Sequence, residues 1–174
     1  MAEIIVAAER PIGGPPEDVY GYLRDYREHH PRILPPAFSE FTIEQGGIGA
    51  GTIFSVRITT ARRTRVYRMQ VAEPQPGRVL TESDTNSSLV TTFTVLPVGT
   101  HSRVRIETRW QGAKGIGGFF ERLFAPRAAG RLYADELARL DRYARERTVA
   151  RERTTGGNGA PVVDGSDKPD KEDV

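Results

Sequence analysis

The residues of this chain that could do chemistry are few and spread along its length. Cysteine is absent, which excludes disulfides, thiolate nucleophiles and cysteine-ligated zinc. Glycines crowd the run EQGGIGAGTIF, where Gly46, Gly47, Gly49 and Gly51 stand close together. A phosphate-binding loop needs such glycines between a strand and a helix N-terminus, followed by Lys and then Ser or Thr, so that amides and helix dipole hold the anion together. Here Gly51 leads into Thr52 and another strand with no Lys, so the run reads as a hairpin whose turn demands positive φ. A second cluster, GAKGIGG from Gly112, does precede a helix, but Lys114 comes too early for that motif. It reads as the hinge from the last strand into the helix.

His29 and His30 are adjacent, point in different directions on a helical turn, and have no acidic residue at a spacing that would help them chelate. No metal and no cofactor is assigned, although one of the pair remains able to reach the mouth of a pocket. The carboxylates Asp25, Glu44, Glu73, Glu82 and Glu107 are scattered, mostly on the solvent parity or at strand ends, and no G-x-S-x-G elbow occurs. No catalytic set is therefore assigned. The hydroxyls of Thr52, Tyr67, Thr91 and Thr108 fall on an otherwise apolar face, where they are either satisfied by backbone or orient the polar atoms of a ligand.

The elements that must position these groups follow from periodicity. EIIVAAERPI keeps Ile4, Val6, Ala8 and Ile12 on one parity, a strand with Pro11 at an edge or exit. GGPPEDVYGYLRDY starts a short helix: the prolines suit its first turn, Glu17 and Asp18 sit at its positive end, and Val19, Leu23 and Tyr26 share a face. REHHPRILPP is a helical turn and a loop. From Phe38 to Gln111 the period becomes two, giving six successive strands broken by short turns. Their inward parity holds Thr52, Phe54, Val56 and Ile58; Tyr67, Met69 and Val71; Leu89, Thr91, Phe93 and Val95; and Val104, Ile106, Thr108 and Trp110. Ser55, Arg57, Arg103, Arg105, Glu107 and Arg109 take the other side. The apolar face needs a cover, and the C-terminal third supplies a helix with Phe119, Phe120, Leu123, Tyr133, Leu137, Leu140 and Ala144 at helical spacing, kinked or begun by Pro126.

At 174 residues and 37% hydrophobic composition, one domain over residues 1–150 is expected, with 151–174 a disordered acidic tail. The first apolar stretch, between Glu3 and Glu9, is too short for a signal segment or a membrane span, so a cytoplasmic protein with no stable membrane insertion is expected. Arginines along the last helix, from Arg122 to Arg153, alternate with acids such as Glu121, Asp135, Glu136, Asp141 and Glu146. That is the pattern of a solvated helix face, and no nucleic-acid partner is assigned.

Taken in order, the first strand, PPEDVYGYLRDY, the prolines, GGIGAGT, the sheet, PVGTHSRVRI and a long helix ending LYADELARLDRYA resemble the START-like superfamily. This is the polyketide cyclase/dehydrase and lipid-transport (SRPBCC) group that includes the major birch pollen allergen and other plant pathogenesis-related proteins, and the resemblance covers about residues 3 to 148. It implies an α+β helix-grip fold: a curved antiparallel sheet of about seven strands wrapped around the long C-terminal helix, short helices after the first strand, and a hydrophobic cavity between sheet and helix. The glycine-rich loop would border the cavity mouth, and Asp25, which matches an Asp after the first helix, would be a cap.

The resulting expectation is binding of a small hydrophobic molecule, such as a lipid, an isoprenoid or an aromatic polyketide. Val19, Phe54, Tyr67, Met69, Phe93, Thr108, Trp110, Phe119 and Leu123 would line or abut the site. Two alternatives stand beside it: a cyclase or dehydratase using the same cavity, and a protein-interaction module whose cavity has filled in. Oligomeric state is not written in the sequence.

Overall fold

The computed structural model describes residues 3–60, 64–112 and 115–156, with the side chains of the last stretch described from Arg127 to Thr154. Strand β1 (Glu3–Ile12) is followed by α1 (Pro16–Arg24), α2 (His30–Ile33), β2 (Phe38–Gln45), β3 (Ile53–Thr59), β4 (Thr64–Gln75), β5 (Val79–Asp84), β6 (Val90–Val98), β7 (His101–Gln111) and α3 (Gly115–Gly156). The sheet has seven strands in the order β1-β7-β6-β5-β4-β3-β2, every pair antiparallel. Strands β2 to β7 form a meander of short connections, and β1 closes onto β7. Pro11 lies on β1, an edge strand, where a missing N–H is tolerated.

The inward parity is as expected. Phe54, Val56, Met69, Val71, Phe93, Val95, Val104 and Ile106 are buried, joined by Leu23, Tyr26 and Ile33 from below and by Leu137, Leu140 and Ala144 of α3. Each such side chain contributes about 1.5–3 kcal/mol by leaving water, so α3 is held by its inner stripe rather than by propensity. It packs along β1 and α2. Helical structure begins at Gly115 rather than at Pro126 and runs to Gly156, past the expected end near 148. The expected tail, 151–174, begins within this helix, and residues 157–174 lie outside the described residues.

The glycine loop is built as a structural hairpin whose amides are engaged by the protein itself. The N–H of Gly47 donates to Thr52 Oγ1 at 3.0 Å and that of Ala50 to Glu73 Oε2 at 2.8 Å, while Gly49 and Gly51 donate to the carbonyls of Arg24 and Val71. Glycine is required at Gly49, where φ is +62° and a Cβ would stand 2.3 Å from Glu73 Oε2. Thr52 is fully buried, and Thr52→Val keeps its shape while leaving the Gly47 N–H without a partner. A loss of about 1–2 kcal/mol is expected, read as a lower urea midpoint with unchanged m-value.

Candidate functional site

One row of paired residues crosses the inner face of the sheet: Val6 opposite Thr108, Thr108 opposite Thr91, Thr91 opposite Glu82, and Glu82 opposite Val71. Its centre is polar while its flanks are apolar. A neighbouring row sets Ala8, Ile106, Phe93 and Leu80 side by side. Thr91 Oγ1 and Thr108 Oγ1 are 2.8 Å apart, and the Tyr133 hydroxyl of α3 donates to Thr108 Oγ1 at 2.5 Å. Burial pushes the Tyr133 hydroxyl up to about 12 against the pull of that hydrogen bond, with the charges of Glu136, Tyr67 and Glu82 adding to it. Tyr133 of α3 is thereby tied to the inner face of the sheet at Thr108.

Glu82 is 7% exposed. Its Oε1 accepts the Tyr26 hydroxyl at 2.7 Å and lies 3.6 Å from His30 Nε2. His30 is itself buried and held by Nδ1 donating to the Leu23 carbonyl at 2.7 Å, which leaves Nε2 turned toward Glu82. Tyr26 stacks between His30 and Phe54, at 4.5 and 5.0 Å, and Phe54 stacks in turn on Phe41 at 4.9 Å. Burial drives the Glu82 carboxyl above the usual range, although His30 and Tyr26 oppose it. Glu136, one turn beyond Tyr133, is 4% exposed. Burial holds it well above the carboxylate range, and Glu82 and Asp135 add to that. Among the described residues its carboxyl has no hydrogen-bond or ion-pair partner.

These positions correct the sequence reading. Glu82 is neither on the solvent parity nor isolated: Leu80, Glu82 and Asp84 share the buried parity of β5. Glu136 and Asp141 do not belong to a solvated face, since both are buried on the stripe that also carries Leu137, Leu140 and Ala144. Asp141 accepts the Gly13 N–H at 2.8 Å and Arg145 Nε at 2.9 Å, fastening α3 to the end of β1. Of the expected ligand contacts, Val19, Phe54, Met69, Phe93 and Thr108 are buried. Tyr67 and Trp110 are half-buried on the same parity. The side chains of Phe119 and Leu123 lie outside the described residues.

The family model described as polyketide cyclase / dehydrase and lipid transport matches residues 3–145. The chain belongs to this family. The KanY protein, solved by NMR, is 34% identical, with 83% of this chain and 99% of that one covered and a TM-score of 0.74. The Zhui aromatase/cyclase from a Streptomyces species is 11% identical, over 91% of this chain and 100% of its own at TM-score 0.68. A norcoclaurine synthase from Thalictrum, in complex with a transition-state analogue, is 17% identical, over 84% and 97%, at TM-score 0.64. At the last two identities the likeness is one of fold. No curated protein matches in sequence.

As a member of the polyketide cyclase/dehydrase and lipid-transport family, the chain has the START-like helix-grip architecture that its sequence resembles. Asp25 is a cap: its Oδ1 accepts the N–H groups of Arg27 and Glu28, each at 3.0 Å. Asp25, Glu28 and His29 also bring ligand-type atoms within 4.8 Å of one another, a spacing the sequence reading did not credit. His29 Nδ1 is 2.7 Å from the Tyr143 hydroxyl, however, and Asp25 already serves the backbone. Asp25 and His29 border a surface groove of about 270 Å³ that Ile48 of the glycine loop also lines. No helix among the described residues is long and apolar enough to cross a membrane.

Proposed function

We propose that this chain binds a small, largely apolar molecule between the inner face of the sheet and α3, with a polar group of the ligand meeting the Glu82–Thr91–Thr108 row. The observation that carries the reading is Glu136: a carboxyl buried on the inner stripe of α3 with no partner among the described residues. A carboxyl on the packed stripe with no partner costs stability, and a core built for packing alone would hold an apolar residue there. The Glu136 oxygens keep some accessible surface, since Arg57 Nε is the one side-chain polar atom among the described residues both fully buried and unpartnered. Tyr67, Met69, Phe93, Thr108, Trp110, Phe119 and Leu123 would meet the ligand, with Val19 and Phe54 packed behind them. Membership of a family described by cyclases, dehydrases and lipid transport supports the same reading.

Native mass spectrometry of freshly purified full chain is expected to show a ligand adduct. Emission from Trp110, the sole tryptophan, is expected to respond saturably to neutral apolar molecules such as farnesol and menthol. Only apo mass together with an unresponsive Trp110 would refute binding at this site.

A cyclase or dehydratase reading is favoured by the placement of Glu136, buried on the inner stripe of α3 where burial, with Glu82 adding to it, raises its carboxyl well above the usual range, the direction a general acid needs to expel water from an aldol. Turnover of a polyketone that falls about 100-fold in Glu136→Gln, with binding kept, would support it. The interaction-module reading finds less support. Ile5, Ile48, Val66, Val98 and Val149 are exposed on different elements, scattered rather than gathered in a patch.

A further inference from the structure

We propose that the ligand carries a protonated amine, seated at the carboxyls of Glu136 and Glu82; this deepens the ligand-binding reading above and rests on it. The warrant is which hydrogen-bonding positions are engaged and which are open. The Tyr26 hydroxyl is given to Glu82 Oε1, the Tyr133 hydroxyl to Thr108 Oγ1 and the His30 Nδ1–H to the Leu23 carbonyl. Thr91 and Thr108 share a bond, leaving one threonine proton between them. The open positions are mostly acceptors: among the described residues, Glu82 Oε2 and both oxygens of Glu136 receive no hydrogen bond.

A ligand that adds only acceptors leaves those lone pairs unanswered. An ammonium brings three N–H donors, and its charge offsets the cost of ionising a buried carboxyl. No Lys or Arg among the described residues pairs with Glu136 or Glu82. Tyr133, bonded to Thr108, and Tyr67, on the inner parity of β4 opposite Val56, are half-buried, and aromatic rings suit a cation. The guanidinium of exposed Arg65 already lies 5.0 Å over the Tyr67 ring, at the start of β4. A carboxyl that stayed protonated would serve a carbonyl instead, so the test sets a cation against neutral and anionic counterparts of one shape.

The experiment is calorimetric titration of the full chain at pH 7 with naphthalen-2-ylmethylamine, naphthalen-2-ylmethanol and 2-naphthoate. The amine is expected to bind about tenfold tighter than the alcohol, a difference of about 1.4 kcal/mol, with the naphthoate weakest. Glu136→Gln is expected to bring amine and alcohol within about twofold of each other, chiefly by weakening the amine. Asp135→Asn removes the same charge from an exposed neighbour and is expected to keep the preference. Folding of Glu136→Gln is not at risk. The wild-type carboxyl, raised by burial, favours the fold while protonated and loses that contribution as pH rises through its folded value, so at pH 8 the variant should melt at or above the wild type. Equal affinity for amine and alcohol, a preference that survives Glu136→Gln, or one lost equally in Asp135→Asn overturns the amine assignment alone. Binding of none of the three overturns the ligand reading and this inference with it.

Discussion

Phe54→Ala is expected to lower stability by about 4 kcal/mol, within the range for removing a buried aromatic ring. That corresponds to a fall in Tm of roughly 8–16 °C for a chain of this size, measured by thermal melts monitored by circular dichroism. Phe54 is 3% exposed and stands between Tyr26 and Phe41 in a stack of rings that ends on His30. The deletion therefore leaves a cavity and also frees the ring whose hydroxyl holds Glu82. Phe54→Leu fills most of that volume and is expected to lose about half as much. If both variants melt near the wild type, the stack does not brace the inner face. Should the ligand-binding reading hold, Phe54→Ala will weaken binding through Tyr26 and Glu82, without Phe54 itself being a contact.

Glu73→Ala carries the second large effect. Glu73 accepts the Tyr20 hydroxyl at 2.7 Å, Arg24 Nε and Nη2 at 3.0 and 3.2 Å, and the Ala50 N–H at 2.8 Å. One carboxylate thus clips α1 and the glycine loop to β4. Its side chain is 9% exposed while that of Arg24 is 39% exposed, so the pair lies between a surface bridge and a buried one. A loss of about 3 kcal/mol at pH 7 is expected, because the Tyr20 hydroxyl, the guanidinium and an amide all lose their acceptor. Burial alone would raise the Glu73 carboxyl, but the hydrogen bonds from Arg24, the Ala50 amide and Tyr20 bring it below the ordinary value. A lowered folded value contributes stability that is present above the unfolded pKa, about 4.3, and is lost as pH falls through the folded one. The difference between wild type and Glu73→Ala should therefore hold at pH 6–7 and shrink below about pH 4. A difference that grows on acidification would show that the clip is not electrostatic.

The strands are legible in the sequence because alternation is a local signal: a residue's own neighbours two positions away reveal its face. That is why Thr52, Phe54 and Val56 or Val104, Ile106 and Thr108 can be placed without coordinates. The glycine loop is legible for a similar reason, since four glycines leading into a strand suit a turn and lack the helix an anion site needs. The interior carboxyls are harder. Glu82 shares a parity with Leu80, but a charged residue on a strand is ordinarily taken as solvent-facing. Only the approach of Tyr26 and His30, from elements more than fifty residues earlier in the chain, makes its burial tolerable. Glu136 sits among arginines and acids whose spacing suits a wet helix face, yet it falls one turn from Tyr133 and Leu140, on the stripe that meets the sheet. A signal was available in that register. Reading it needed the knowledge that the apolar stripe is wide enough to include position 136, which packing determines and composition does not.

The most direct measurement is a ¹H–¹⁵N correlation titration of the full chain with naphthalen-2-ylmethanol, which carries no charge and so tests the site apart from any electrostatic preference. Saturable shifts are predicted at Tyr67, Glu82, Thr91, Thr108 and Tyr133, with the outward-facing amides of Arg57, Arg103 and Arg105 unmoved. Shifts confined to that outer face, or none up to the solubility limit, would contradict uptake between sheet and helix.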